Sequence, residues 1–189
     1  MHLSIERADF TDPNLGAFLR AHLDDIAPTA PAESQHALDL RGLQTPDVRL
    51  WVASVGEEIV GTGALAALEP GHEELKSMRT DPERRGQGIA TRILEHLLQD
   101  AQGRYIRRIS LETGSMEFFA PARALYAKAG FVLCSPFGSY TEDPNSVFMT
   151  KTLAPIVPSI RPVMPRSARV SRPGATRQLS PRRVRTRLV

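Results

Sequence analysis

Apolar positions follow two rhythms along the first 153 residues and neither of them afterwards. Ile89, Ala90, Ile93, Leu94, Leu97, Leu98 and Ala101 recur at helical spacing, with Arg92, Glu95, Gln99 and Asp100 on the other side. That pattern predicts a helix over 88–102, ended by Gly103. Before it, Leu3 to Arg7 reads as a strand, and 13–26 and 32–43 read as helices separated by Ala27-Pro28-Thr29-Ala30-Pro31. A hairpin of strands 50–54 and 59–66 turns over Val55-Gly56-Glu57-Glu58, and 73–80 supplies the next strand. After the long helix the pattern alternates: strand 106–113, helix 117–129, strands 131–135 and 146–153. This order predicts an α/β (α+β) chain, a mixed sheet with helices against it. No internal repeat is visible.

Composition bounds this picture. A chain of 189 residues, 41% hydrophobic, buries one sizeable core, so one domain over 1–153 with an appendage is expected. The formal charge of +3 divides into −7 for residues 1–150 and +10 for 151–189, where nine arginines mix with six prolines and no aromatic. Residues 154–189 lack periodicity and apolar surface enough to offset ordering entropy, which predicts a disordered tail. Such a polycation is either a plain solvated segment or a non-specific contact with nucleic acid or an acidic surface, without base stacking. If it is the latter, deleting it abolishes retention on DNA at low salt. The charged N-terminus and the absence of a long apolar run predict a cytoplasmic protein with no membrane contact. Cys134 is the only cysteine, which excludes an internal disulfide and a cysteine-based zinc cluster. It falls on the apolar run Phe131-Val132-Leu133-Cys134, where a buried, inert thiol is expected. His2, His22, His36, His72 and His96 form no metal-spaced pair, so no metal is expected.

Candidate chemistry concentrates where the long helix begins. Arg84-Arg85-Gly86-Gln87-Gly88-Ile89-Ala90-Thr91 lies between a strand and that helix. With no side chain at Gly86 or Gly88, backbone N–H groups can turn onto an anion while the helix adds its positive end, which points to a pyrophosphate. No Gly-Lys-Ser or Gly-Lys-Thr follows, so the P-loop template fails. A dinucleotide fingerprint is closer, with Glu112 about 20 residues on, but it wants a glycine at Thr91 and no Asp81-Pro82-Glu83-Arg84 between strand and turn. The third template, Arg/Gln-x-x-Gly-x-Gly/Ala, is met by Arg85, Gly88 and Ala90.

At these residues the chain resembles the GNAT (GCN5-related) N-acetyltransferases. A second block in the expected order, Ala122-Arg123-Ala124-Leu125-Tyr126-Ala127-Lys128-Ala129-Gly130-Phe131, is similar to that family's Ala-x-x-Leu-Tyr-x-x-x-Gly-Phe. Glu112-Thr113-Gly114-Ser115 and Asp143-Pro144-Asn145-Ser146-Val147-Phe148-Met149 resemble a bacterial branch of small acetyltransferases. The likeness spans roughly 50–153 and implies the GNAT fold, with a central, mostly antiparallel mixed sheet flanked by helices. One departure is Phe118-Phe119-Ala120-Pro121, standing where many relatives carry a cofactor-contacting Asn, so no cofactor contact is assigned there.

The resemblance implies acetyl-CoA as acyl donor and a primary amine, favoured as a small molecule over a protein lysine, as acceptor. It places the backbone of Met78 and Thr80 along the pantetheine arm, with Met78 N–H on the carbonyl. The amides of Gly86, Gln87, Gly88 and Ala90 would hold the pyrophosphate, with Arg85 and Thr91 completing the set. It also makes Tyr126 the general acid, against a plain core aromatic on the face shared by Ala122, Leu125 and Ala129. A lysine-like amine is neutral at pH 7 only at a cost of roughly 4.6 kcal/mol, and an α-amine at about 1, so the acceptor sets how much a base matters. Glu74 is the first choice of base, followed by His72, Glu73 and Glu112. The turn-rich 135–144 segment either closes one side of the acceptor pocket, bringing Tyr140 and Glu142 to the substrate, or forms a homodimer edge. Transfer is expected to be direct, without a covalent enzyme intermediate. The competing reading is a non-catalytic acyl-CoA-binding domain whose basic tail attaches to nucleic acid or a partner.

Overall fold

The computed structural model describes residues 2–26, 28 and 38–155. Seven strands, β1 (Ser4–Arg7), β2 (Val48–Val55), β3 (Glu58–Glu69), β4 (His72–Thr80), β5 (Arg108–Gly114), β6 (Val132–Leu133) and β7 (Ser146–Thr152), form one sheet in the order β1-β2-β3-β4-β5-β7-β6. Every neighbouring pair is antiparallel except β4 and β5, which the crossover through helix α3 (Ile89–Gly103) makes parallel. Helices α1 (Pro13–Ile26) and α2 (Leu40–Leu43) precede β2, and α4 (Ala120–Lys128) follows β5.

Two apolar layers sandwich the sheet. On one face Ile89, Ile93, Leu94, Leu97 and Ala101 of α3 and Tyr126 of α4 pack with Leu65, Leu75, Ile109, Leu111 and Met149. On the other, Leu15 and Leu19 of α1 and Leu43 of α2 pack on Val48, Leu50 and Ala64. The long helix thus buries the stripe its spacing predicts. It also lies unusually close: a Cβ at Gly63 would stand 2.7 Å from Leu97 Cδ1 and 2.8 Å from both Ile93 Cγ2 and Met78 Sδ.

Two irregularities in β4 make the site. Its pairing with β3 shifts between Thr62/Arg79 and Ala64/Lys76, so Ser77 and Met78 together face Gly63 as a β-bulge. Ser77 carries the strain, with φ of 52°, and its carbonyl accepts a hydrogen bond from Thr62 Oγ1 at 3.0 Å. Its pairing with β5 ends at Glu74/Ser110, so beyond that rung the two strands fork.

Several expectations shift. The helix expected over 117–129 begins as a 3-10 turn at Glu117–Phe119, because Pro121 has no N–H to give and crowds the carbonyl four residues back. The strand expected at 131–135 shrinks to Val132–Leu133 at the sheet edge, 62% and 75% exposed, so of its apolar run Phe131 is core while Val132 and Leu133 are not. Cys134 beside it is accordingly half-buried. Of the helix expected over 32–43, Leu40–Leu43 is helical, while 29–37 lies outside the described residues, as does the tail from 156. Among the described residues no helix is long and apolar enough to cross a membrane.

Candidate functional site

A cavity of about 510 Å³ occupies the fork between β4 and β5. Its lining includes Met78, Arg79 and Thr80 of β4, Arg84, Arg85, Gly86, Gly88, Ala90 and Thr91 of the glycine turn, and Tyr126 of α4. His22, Asp25 and Ile26 of α1 line it too. Because α1 packs on one face of the sheet and α4 on the other, the cavity passes through the sheet at the fork.

The turn leaves its backbone amides open at the start of α3. Gly86 and Gly88 sit at φ 76° and 78°, a left-handed conformation that other residues rarely adopt. A Cβ at either would meet nothing within 4 Å, so the space above their amides is open. Gly88 is the N-cap of α3 and leaves the first helical N–H groups without a side-chain cap, at the positive end of a 15-residue helix. Arg84 is turned back to Glu58 at 2.5 Å, and Arg85 is exposed on the rim. Thr80 Oγ1 is buried against the cavity without a hydrogen-bond partner among the described residues. An extended ligand with a pyrophosphate at one end and amide groups along its length fits these orphaned donors.

Tyr126 is buried, tilted against Phe131 at 5.9 Å, and its hydroxyl makes no hydrogen bond among the described residues. Burial, and then the Glu112 carboxylate, push its pKa above the ordinary phenol value, so the hydroxyl keeps its proton. Opposite, on α1, burial and then Arg79 pull His22 down from 6.5 to about 4, which leaves its imidazole neutral at pH 7.

The remaining sequence candidates lie outside this lining. Gln87 points to solvent. Glu74 stands at the last paired rung, 6% exposed, where Tyr140 Oη donates to Oε1 at 2.6 Å and Lys76 Nζ donates to the same oxygen at 2.8 Å. Burial, with Glu74 next, holds the Tyr140 hydroxyl protonated. Stacked edges of Phe137 and Phe148 fix the Tyr140 ring over the sheet. Glu142 is exposed and lines a separate groove with Cys134, whose thiol burial pushes up, away from a nucleophile's range. Of the alternative bases, Glu73 is gripped by the Arg104 guanidinium, with Nη2 to Oε2 at 2.7 Å, and His72 Nε2 meets Ser110 Oγ at 2.8 Å. Glu112 accepts from Ser146 Oγ at 2.7 Å.

Residue patterns missed two walls. Phe118, Phe119, Pro121, Ala122 and Leu125 all line the cavity, although no contact was assigned to the 118–121 stretch. Phe119 fits because Gly114 leaves room, a Cβ there falling 2.3 Å from its ring. The available signal was the Phe118-Phe119 pair at a helix start, and in the structure Phe118 is left 47% exposed at the cavity. The α1 wall gave no signal, since His22 and Asp25 read as an ordinary polar face.

The model of the acetyltransferase (GNAT) family matches residues 15–131, the span that holds both the fork and the glycine turn. The chain belongs to the GNAT acetyltransferase family. It is 45% identical over 153 residues to the uncharacterized N-acetyltransferase YsnE of Bacillus subtilis (strain 168), covering 81% of this chain and 100% of that one. It is 43% identical over 150 residues to the uncharacterized N-acetyltransferase YedL of Escherichia coli (strain K12), covering 79% of this chain and 94% of the relative. Among solved structures, one from Klebsiella pneumoniae described as an acyl-CoA N-acyltransferase superposes with a TM-score of 0.67 at 33% identity, covering 80% of this chain and 98% of that one. As a GNAT acetyltransferase the protein is an acyltransferase, and the mixed seven-stranded sheet with its forked centre is the family's fold in this chain. Among the described residues no group of His, Cys, Asp or Glu is arranged to hold a metal ion.

Proposed function

We propose that this GNAT acetyltransferase moves an acetyl group from acetyl-CoA to the primary amine of a small molecule, by direct attack at the fork. The observation that carries this reading is the single cavity running from the glycine turn, past Tyr126, to α1 on the far face of the sheet. One end offers backbone amides and cations to a pyrophosphate, and the other opens toward a second substrate. Acetyl-CoA supplies the acetyl group as an activated thioester.

The residues divide the remaining work. Gly86, Gly88 and Ala90 anchor the donor through backbone N–H groups, with Arg85 and Thr91 beside them and Gln87 contributing its amide alone. Met78, displaced by the bulge, turns its N–H to the carbonyl, and Thr80 steadies the arm. The acceptor nitrogen forms the C–N bond as the C–S bond breaks; its proton leaves to a base and one proton ends on sulfur. Tyr126 holds its O–H to the departing sulfur. Its raised pKa keeps the proton on the phenol oxygen, so the contact is a hydrogen bond to developing charge more than an early proton transfer, since a thiol near 8.5 is the stronger acid. Glu74 is the base: it stands at the last paired rung of β4, outside the cavity lining and with the Tyr140 hydroxyl donating to it, and takes the acceptor's proton through a water. Glu142, exposed in the neighbouring groove, is left for the acceptor's outer part.

The test is release of free CoA thiol by the full chain from acetyl-CoA with a panel of amines, alongside calorimetry of acetyl-CoA. Binding near the micromolar range with turnover of some amine is expected; absence of acetyl-CoA binding would end the reading.

A further inference from the structure

We propose that the acceptor is an amine that also carries a carboxylate, of the amino-acid class, and that Arg79 holds this carboxylate at the α1 wall of the cavity. The inference rests on the acyltransferase reading above and narrows its substrate.

The bulge places Arg79 where it is. Leu75 packs against α3, and strict alternation would send residue 79 to that same face. The extra residue at Ser77–Met78 reverses the alternation, so Met78 turns to Leu97 and Ile93 while Arg79 turns to α1. There its guanidinium lies 5.0 Å from the Phe18 ring and donates from Nη1 to Asp25 Oδ2 at 2.7 Å. The Arg79 side chain is 8% exposed, and its Nε is buried without a partner among the described residues, in a residue that lines the cavity. Leaving a buried charged donor unfilled is costly, so such a group marks a place where a ligand supplies the acceptor atom.

The missing partner is an anion. Asp25 is 41% exposed and satisfies one of the five N–H donors, leaving the fork geometry that suits a planar carboxylate. The neutral His22 ring adds a second hydrogen-bonding group beside the guanidinium. Of the charged side chains lining the cavity, Arg79, Arg84 and Arg85 are cationic and Asp25 is anionic. Arg84 and Arg85 belong to the glycine turn, so at the α1 wall the charged pair is Arg79 and Asp25, and the N–H groups of Arg79 that Asp25 leaves open are free to take a carboxylate on the amine itself. The donor's pyrophosphate is met at the glycine turn, beyond the end of β4, so it does not use the Arg79 fork.

Matched pairs test this with the full chain: phenylalanine against phenethylamine, leucine against isoamylamine, β-alanine against ethylamine. The carboxylated member of each pair is expected to show at least a tenfold higher kcat/KM. Arg79→Gln is expected to raise its KM about 10- to 100-fold more than that of its decarboxylated partner, as loss of a charge-assisted contact implies. Arg79→Lys, which keeps the charge and loses the fork, should fall between. In the unaltered protein, 3-phenylpropanoate is expected to compete with phenylalanine and not with acetyl-CoA, a readout independent of whether the variants fold. Equal turnover of both members, equal KM increases in Arg79→Gln, or no competition by the carboxylate each overturns the inference and leaves the transferase standing. No turnover of any amine, with acetyl-CoA bound, removes both.

Discussion

Replacing Tyr126 by Phe removes one oxygen from the cavity wall and keeps the ring against Phe131. Because that hydroxyl makes no hydrogen bond among the described residues, the substitution breaks none. Folding stability should therefore stay within about 1 kcal/mol of wild type, since the ring packing is kept and the hydroxyl lost faces the cavity. Catalysis should respond differently. A neutral donor facing a developing thiolate contributes about 1.5–3 kcal/mol, so kcat should fall roughly 10- to 150-fold with the acetyl-CoA affinity nearly unchanged. The ratio of wild-type to variant kcat should also be flat from pH 6 to 9, because burial and Glu112 raise the phenol's pKa and it stays protonated throughout that window. Thiol release at saturating donor, calorimetry and a thermal melt supply the three readouts. A variant with kcat within twofold of wild type would return Tyr126 to the status of a core aromatic, and a variant that also melts lower would show the hydroxyl to be structural.

Packing and electrostatics give further expectations. Gly63→Ala should cost about 1–3 kcal/mol, since its Cβ would overlap Leu97, Ile93 and Met78, whereas Gly103→Ala, with open space around it, should raise the melting temperature slightly; comparable melts for the two would contradict the close approach of α3. Gly114→Ala should weaken acetyl-CoA binding by forcing Phe119 off the wall, and calorimetry showing wild-type affinity would remove Phe119 from the site. Glu74→Gln should lose more rate at pH 7 than at pH 9, where more of the amine is already neutral; a pH-independent loss speaks for a positioning role. His22 has a folded pKa of about 4 against 6.5, so the unfolded chain takes up its proton first and stability falls as pH drops from 6.5 toward 4, by on the order of 3 kcal/mol. Denaturant titrations at pH 7 and 4.5 should show that loss reduced in His22→Gln, and an identical loss would rule His22 out as its source.

Legibility in the sequence followed the reach of each signal. Helix α3 and the β2–β3 hairpin carry complete local signatures, an apolar stripe and a turn, and both appear where periodicity puts them. The glycine turn was readable because backbone chemistry at Gly86 and Gly88 depends on what those residues lack. Val132 and Leu133 misled because an apolar run says nothing about which strand ends at the sheet edge, and β6 is set by pairing with Met149 and Thr150. Glu74 was singled out by its place on a strand, but its attachment to Tyr140, 66 positions away, is a tertiary fact. Arg79 could not be placed at all. Alternation from Leu75 sends it to the wrong face, and no residue pattern announces a bulge at a serine.

That bulge links backbone irregularity to chemistry throughout this site. A regular β4 would pair alternate N–H groups with β3 and keep the faces of residues 75, 77 and 79 alike. One extra residue offsets Met78 from the ladder and sends Arg79 to α1, at the point where β4 has already parted from β5. The strain at Ser77 costs on the order of 1–3 kcal/mol, offset in part by the Thr62 hydroxyl on its carbonyl and by the fit of Met78 over Gly63. Stability and function are therefore coupled through Gly63. A side chain there would push on Met78 from below and disturb the N–H assigned to the carbonyl, so Gly63→Ala should lose kcat beyond what its lowered stability explains at a temperature where it remains folded. Loss of stability with full kcat would mean that the bulge is held by its own strand pairing rather than by the helix above it.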